Sequence, residues 1–233
     1  MTPLFWPHED PKRFADRADA GRQLAELLTG RYADPIVLGL PRGGVAVAFE
    51  VAKALDAPLD VLVARKLGAP HQPELAVGAI AKGASVLRHD IIDALGISET
   101  EIARIAERER ARAAELEERL RRGRPPVDLR GRTVIVVDDG LATGATATAA
   151  IRSVREQGPA RVVLAVPVGA PESVEDLARE ADDVVTVAQP RDFRAVGLHY
   201  ASFPQLSDDE VEAMLDERAA ARVQPDQPAG GER

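Results

Sequence analysis

The run Thr133–Val137 passes without interruption into Asp138-Asp139-Gly140-Leu141-Ala142-Thr143-Gly144-Ala145-Thr146. This junction limits the possible folds more than any other part of the chain. Thr133–Val137 is the most strongly β-branched run and reads as a strand. The Gly- and Thr-rich turn behind it opens a helix to about Gln157. The same alternation recurs along the chain. Ile36–Leu40, bounded by Pro35 and Pro41, reads as a short buried strand, and Gly43-Gly44 start a helix through Leu55. Leu59–Ala64 is a second apolar strand, making a strand–helix–strand unit of the parallel, right-handed kind. Arg161–Val168 and Val184–Val187 are further strands around a helix over Pro171–Ala181. Strands alternating with helices predict an α/β fold with a mainly parallel central sheet and flanking helices.

The remaining segments decorate that frame. Residues 11–30 carry a helical pattern, with Phe14, Ala18, Leu24, Leu27 and Leu28 on one face. Residues 65–75 (RKLGAPHQPEL) have two Pro, one Gly and no periodicity, and read as a long mobile loop. Ala76–Ala81 and Ala84–Arg88, separated by Lys82-Gly83, predict a hairpin. Ser98-Glu99-Thr100-Glu101 matches a capping box opening a long charged helix to about Arg122. Its outer face is expected to carry the i,i+4 pairs Glu115/Arg119, Glu117/Arg121 and Glu118/Arg122, as a solvated helix and not a nucleic-acid arm. Ser207-Asp208-Asp209-Glu210 caps a last helix. We expect a single domain over residues 1–222, with an insertion over about 65–125, a hood over about 189–206 and a disordered tail over 223–233.

Composition narrows the chemistry. A chain of 233 residues, 45% hydrophobic, buries roughly 70–75% of its unfolded surface and needs neither metal nor disulfide to fold. It contains no cysteine, so a thiolate nucleophile is excluded. The four histidines His8, His71, His89 and His199 stand far apart, so no protein metal site is expected. A net charge of −8 argues against non-specific nucleic-acid binding. No apolar run approaches the roughly 18–20 residues that cross a bilayer. The expectation is a soluble, cytoplasmic protein.

Ligands of an open parallel sheet bind outside the carboxyl ends of the strands, which is where Asp138 and Asp139 fall. The loop Gly140–Thr146 precedes a helix whose first N–H groups lack partners, so it suits a phosphate, with the Thr143 and Thr146 hydroxyls assisting. Carboxylates repel phosphate but accept from neighbouring sugar hydroxyls, and the combination asks for a sugar phosphate. No Lys follows Gly144 as a Walker A loop requires, and G-x-G-x-x-G is missing. A receiver-type acidic pocket would leave the Gly/Thr loop without purpose. A strand merely ending in a helix cap needs fewer special residues.

This stretch closely resembles the phosphoribosyl pyrophosphate (PRPP) motif of type I phosphoribosyltransferases. The resemblance implies that Asp138 and Asp139 bind the ribose hydroxyls, and that Gly140, Leu141, Ala142, Thr143, Gly144, Ala145 and Thr146 hold the 5-phosphate. Pro41-Arg42-Gly43-Gly44 resembles the family's pyrophosphate loop: the glycines admit backbone amides to the anion and Arg42 neutralises it. Taken alone, that pattern is also an ordinary strand–helix turn. Arg65 and Lys66 occupy the place of the family's flexible catalytic loop; the alternative is a pair of surface cations. The family's Mg²⁺ is held mostly by substrate oxygens.

Three of the eight aromatic residues, Phe193, Tyr200 and Phe203, lie with His199 where the family places a hood over the acceptor. They are candidates to stack on a planar acceptor, or else form a small satellite core. The implied reaction is attack of a nitrogenous acceptor, a nucleobase or related heterocycle, on C1 of PRPP with loss of pyrophosphate. Asp138, Asp139, Arg42, Arg65 and Lys66 would carry it by positioning and charge neutralisation. The expected partners are PRPP and a small acceptor, with a homodimer left open. A PRPP-binding regulator without turnover, and an enzyme acting on another phosphosugar, are the competing readings.

Overall fold

Residues 14–223 are described by the structure, a computed structural model. In chain order the elements are α1 (Arg17–Leu28), β1 (Ile36–Gly39), α2 (Gly43–Ala54), β2 (Leu59–Val61), β3 (Arg65–Ala69), β4 (Gln72–Ile80) and β5 (Ser85–Leu87). Then come α3 (His89–Ala94), α4 (Glu99–Arg121), β6 (Thr133–Val137), α5 (Ala145–Arg155), β7 (Arg161–Val168), α6 (Pro171–Leu177), β8 (Asp183–Ala188), a 3-10 turn (Val196–His199) and α7 (Asp208–Val223). The central sheet is parallel throughout in the order β2-β1-β6-β7-β8.

Both faces of that sheet are covered, and the strand residues divide between them with period two. Ile36, Leu38, Val134, Val136, Leu164 and Val166 point to one side, where Ile151, Val154 and Leu177 of α5 and α6 meet them. Val37, Ile135, Val137, Val163 and Ala165 point to the other, onto Leu24, Leu28, Val47 and Val51 of α1 and α2. This is why β6 reads as an unbroken apolar run: its four valine and isoleucine residues are all buried. Among the described residues, no helix is long and apolar enough to cross a membrane.

The second sheet, β3-β4-β5, is antiparallel and corrects the loop expected over residues 65–75. Those residues form most of a hairpin turning at Pro70-His71. The glycine that reads as a loop signal marks a register shift between Leu67 and Ala69. A Cβ at Gly68 would stand 2.3 Å from the Pro73 carbonyl oxygen, so the close backbone approach requires glycine. The β4–β5 turn is Lys82-Gly83: Ala81 and Ala84 exchange both backbone hydrogen bonds, and Gly83 has φ +79°, as a tight hairpin demands.

α4 starts at the expected capping box, in which the Ser98 hydroxyl accepts from the Glu101 amide and the Glu101 carboxylate from the Ser98 amide. Its arginines behave differently from expectation. Of the three expected pairs only Glu117–Arg121 forms along the helix (2.9 Å), and it is buried, not outward. Arg119 instead reaches Asp208, and Arg122 and Arg124 each reach Asp216 at 3.0 Å. α7 lies alongside with these acids turned to α4, so cross-helix partners replace the expected i,i+4 ones. Phe14 is also not on the first helix. It precedes the Asp16 cap and forms a parallel bridge with Tyr200. The short helix α3, six residues long, has no counterpart in the sequence pattern. The expected tail beyond Val223 lies outside the described residues.

Candidate active site in the crevice between β1 and β6

β1 and β6 are neighbouring parallel strands, and the chain leaves them in opposite directions across the sheet, β1 towards β2 and β6 towards β7. Their carboxyl ends therefore form a topological switch point, where the loops diverge and leave a crevice. Gly39 pairs with Val137, and the Leu40 amide donates to the Val137 carbonyl at 2.9 Å. Asp138–Thr146 and Pro41–Gly44 consequently emerge side by side.

The two loops touch closely. A Cβ on Gly44 would lie 2.7 Å from the Val137 carbonyl oxygen and 2.8 Å from the Asp138 Cα. Both are backbone atoms that cannot swing aside. Gly44→Ala is accordingly expected to destabilise the fold by about 1–3 kcal/mol through overpacking, read in chemical denaturation, and to displace the loop from the crevice. The Pro41–Arg42 peptide is cis.

Among the described residues, none of the amides from Ala142 to Thr146 donates a hydrogen bond. Gly144 caps α5 with φ +74°, a left-handed conformation suited to glycine. Ala142 and Thr143 are exposed. Leu141 anchors the loop from below, its amide donating to the Val168 carbonyl (2.8 Å) and its carbonyl accepting from Ala170 (2.9 Å). Ser173 donates to the Ala142 carbonyl. A ring of unpaired donors at a helix start is an anion cradle.

The acids stand at its rim. Asp138 accepts from the Asp139 amide (2.8 Å). Burial first, and the neighbouring Asp139 carboxylate second, push the Asp138 carboxyl well above the usual range. Burial also raises Asp139, with Arg17 opposing it: Arg17 Nε donates to Asp139 Oδ2 at 2.8 Å. Arg17 is the site residue that sequence reasoning misses. No local pattern reveals it, because its partner is 122 positions away.

Arg42 stands at the crevice mouth but is engaged. Its Nε donates to Asp208 Oδ1 at 2.9 Å, and Nη1 to the Leu206 carbonyl at 3.3 Å. Arg65 and Lys66 are held in the hairpin, Arg65 on Glu109 (2.7 Å) and Lys66 on the Glu74 carbonyl (2.7 Å). These bonds tie both cations to the second sheet and α4, and not to the crevice. A separate cavity of about 480 Å³ opens between the Lys82-Gly83 turn and α4. It is lined by none of the crevice residues.

The aromatic residues divide. Tyr200 is 2% exposed and packs with Phe14, Ala20 and Val168. Its ring contacts Phe14 and Phe203, and its hydroxyl donates to the Asp139 carbonyl at 2.5 Å. Tyr200 therefore builds the satellite core and offers no open face for stacking. Phe193 stacks on the buried His199. Phe203 is 36% exposed, with the Arg17 guanidinium 3.7 Å from its ring centroid. The segment after β8 also presses on the loop itself: a Cβ at Gly140 would meet Val196 at 2.4 Å.

A doubly covered parallel sheet with paired acids and a glycine-rich helix start at its switch point defines a doubly wound α/β protein with a candidate ligand site at that crevice. The chain belongs to the phosphoribosyl transferase domain family, which matches residues 12–202. It is 51% identical over 207 residues to a Mycobacterium tuberculosis H37Rv protein named "Putative phosphoribosyl transferase", a match covering 88% of this chain and 47% of that protein. The chain thus spans about half the length of that relative. A uracil phosphoribosyltransferase of Streptomyces griseus is 51% identical over 65 residues, 28% of this chain and 31% of its own length. A crystal structure from Thermus thermophilus superposes with a TM-score of 0.75 at 47% identity, covering 88% of this chain and 98% of that one.

Proposed function

We propose that this chain transfers the 5-phosphoribosyl group of PRPP to a nitrogenous acceptor. The observation that carries this reading is the juxtaposition of two acids, a ring of unpaired amides and a glycine-lined cationic turn in one crevice. The 5-phosphate sits on the amides of Ala142–Thr146 with help from the Thr143 and Thr146 hydroxyls. Asp138 and Asp139 accept from the ribose hydroxyls, and Arg42 with the Gly43 and Gly44 amides takes the diphosphate. The acceptor nitrogen donates its electron pair to C1 as the C1–oxygen bond breaks. Pyrophosphate leaves with that bond's electrons, and the acceptor loses a proton. The chain contributes orientation and charge neutralisation.

Among the described residues, no group of three or more His, Asp or Glu side chains is placed to hold a metal ion. The Mg²⁺ of this reading is carried in on the oxygens of PRPP itself, as a cation that takes most of its ligands from phosphate and water. When bound, it would supply positive charge to the leaving pyrophosphate. The hood over residues 189–206 is the acceptor side of the crevice, with Phe203 its most accessible ring.

Pyrophosphate release from Mg-PRPP, measured with purines, pyrimidines and simpler heterocyclic amines in turn, tests the reading. Release dependent on one acceptor class is expected. Saturable PRPP binding without release under any acceptor would make the chain a regulator instead. Arg42 supplies a finer test. Pyrophosphate must draw it away from Asp208, an ion pair whose arginine is half-exposed. Asp208→Asn is therefore expected to tighten pyrophosphate binding by about two- to fivefold, the range of an exposed ion pair, as read by calorimetric titration.

A further inference from the structure

Arg17 is the first residue of α1, and its side chain is only 11% exposed. Three parts of the molecule converge on it. Nε donates to Asp139 Oδ2, Nη1 donates to the Pro204 carbonyl at 2.7 Å, and the guanidinium lies over the Phe203 ring. It also underlies the glycine turn, because a Cβ on Gly43 would fall 2.9 Å from Arg17 Nε and 1.9 Å from Asp139 Oδ2. The hood is stitched to the same segment by backbone bonds from Phe14 to His199, Ala201 to Phe14 and Ser202 to Ala15. A surface arginine needs none of this, and a planar fork with one stacked face is a placement lysine does not reproduce.

We propose that Arg17 is a positioning residue that fixes the orientation and charge of Asp139 and couples this carboxylate to the hood through Pro204 and Phe203. The inference rests on the proposed ribose-binding role of Asp139. Binding of the sugar diol and placement of the acceptor side of the crevice then become one event, since both are held by a single guanidinium. The groups facing Asp139 are Asp138 from the end of β6, Arg17 from α1 and Tyr200 from the hood, whose hydroxyl lies on the Asp139 carbonyl. Arg42, on the neighbouring turn, is directed to Asp208. Arg17 is thus the cation that counters burial at Asp139. Without it the carboxyl takes up a proton at higher pH, and a protonated acid no longer accepts from two hydroxyls at full strength.

The test is a titration of Mg-PRPP into the full chain from pH 5 to pH 9, for the wild type, Arg17→Gln and Arg17→Lys, with amide hydrogen exchange of residues 196–203 followed alongside. Arg17→Gln is expected to weaken binding about tenfold at pH 7, the scale of one charged hydrogen bond. It should also move the acid limb of the binding profile to higher pH. Arg17→Lys restores the position of the acid limb but not the PRPP-dependent protection of the hood, because it returns the charge and not the fork and stacked face. A folded Arg17→Gln with the wild-type pH profile overturns the inference while leaving the proposed function intact. A wild type that binds no PRPP overturns the proposed function itself.

Discussion

Asp138→Asn combined with Asp139→Asn is expected to weaken Mg-PRPP binding by at least about 100-fold, each lost hydrogen bond to a charged acceptor contributing about 1.5–3 kcal/mol. Asp138→Asn alone should at the same time raise the thermal stability of the chain. The direction follows from linkage. Burial, reinforced by Asp139, lifts the Asp138 carboxyl well above its usual range, whereas in the unfolded chain it titrates near the ordinary value of about 3.9. Between those two values the folded state holds more protons than the unfolded one, so stability falls as pH rises through that window. Above it, an ionised Asp138 is a standing cost to the fold. Asn removes the charge and keeps the carbonyl that accepts from the Asp139 amide. Thermal unfolding at pH 8 and pH 4 checks this: the gain from Asp138→Asn should be larger at pH 8. Lower stability at both values would contradict the electrostatic account of the site.

Arg121→Ala has the largest effect expected on the fold itself. Arg121 is bound to Asp60 Oδ1 (2.8 Å), Glu117 Oε2 (2.9 Å) and the Val61 carbonyl (2.7 Å). The carboxylates accept in turn from the amides of Val61, Val63 and Val127. Burial works against the arginine's charge, yet Asp60 and Glu117 hold its pKa above the ordinary value. Removing it leaves two buried acids without their cation, which costs about 3–5 kcal/mol. For a chain of this size that corresponds to a fall in Tm of roughly 6–20 °C. Because the network fastens α4 to β2, the second sheet and its helix should lose hydrogen-exchange protection before the central sheet does. Glu115→Ala, at an exposed position of the same helix, should change stability by less than about 0.5 kcal/mol.

The contrast between these residues shows what is legible in a sequence. The central sheet is readable because its inner strands are buried on both faces, so each apolar run is local and continuous. The candidate cradle is readable because Asp138 through Thr146 are consecutive, so the acids, the glycines and the helix start all show in one local pattern. The hairpin over 65–80 is not, because Gly68 and Pro73 act on each other across the strands, while locally each signals a break. The charge of α4 misleads in the same way. Glu117 and Arg121 have the spacing of a solvated pair, and only packing against Asp60 and Val63 turns them inward. Arg17, the Arg42–Asp208 pair and the hydroxyl of Tyr200 lie 122, 166 and 61 positions from their partners. Nothing in a local pattern encodes such contacts.

A crystal structure of the chain with PRPP and Mg²⁺ would decide whether the crevice between β1 and β6 is the substrate site. The 5-phosphate is predicted to lie within hydrogen-bond distance of the amides from Ala142 to Thr146. The ribose hydroxyls should fall on Asp138 and Asp139, and the diphosphate along Arg42–Gly44 with Arg42 released from Asp208. PRPP bound elsewhere, such as in the cavity between the Lys82-Gly83 turn and α4, with the crevice between β1 and β6 empty, would contradict the account.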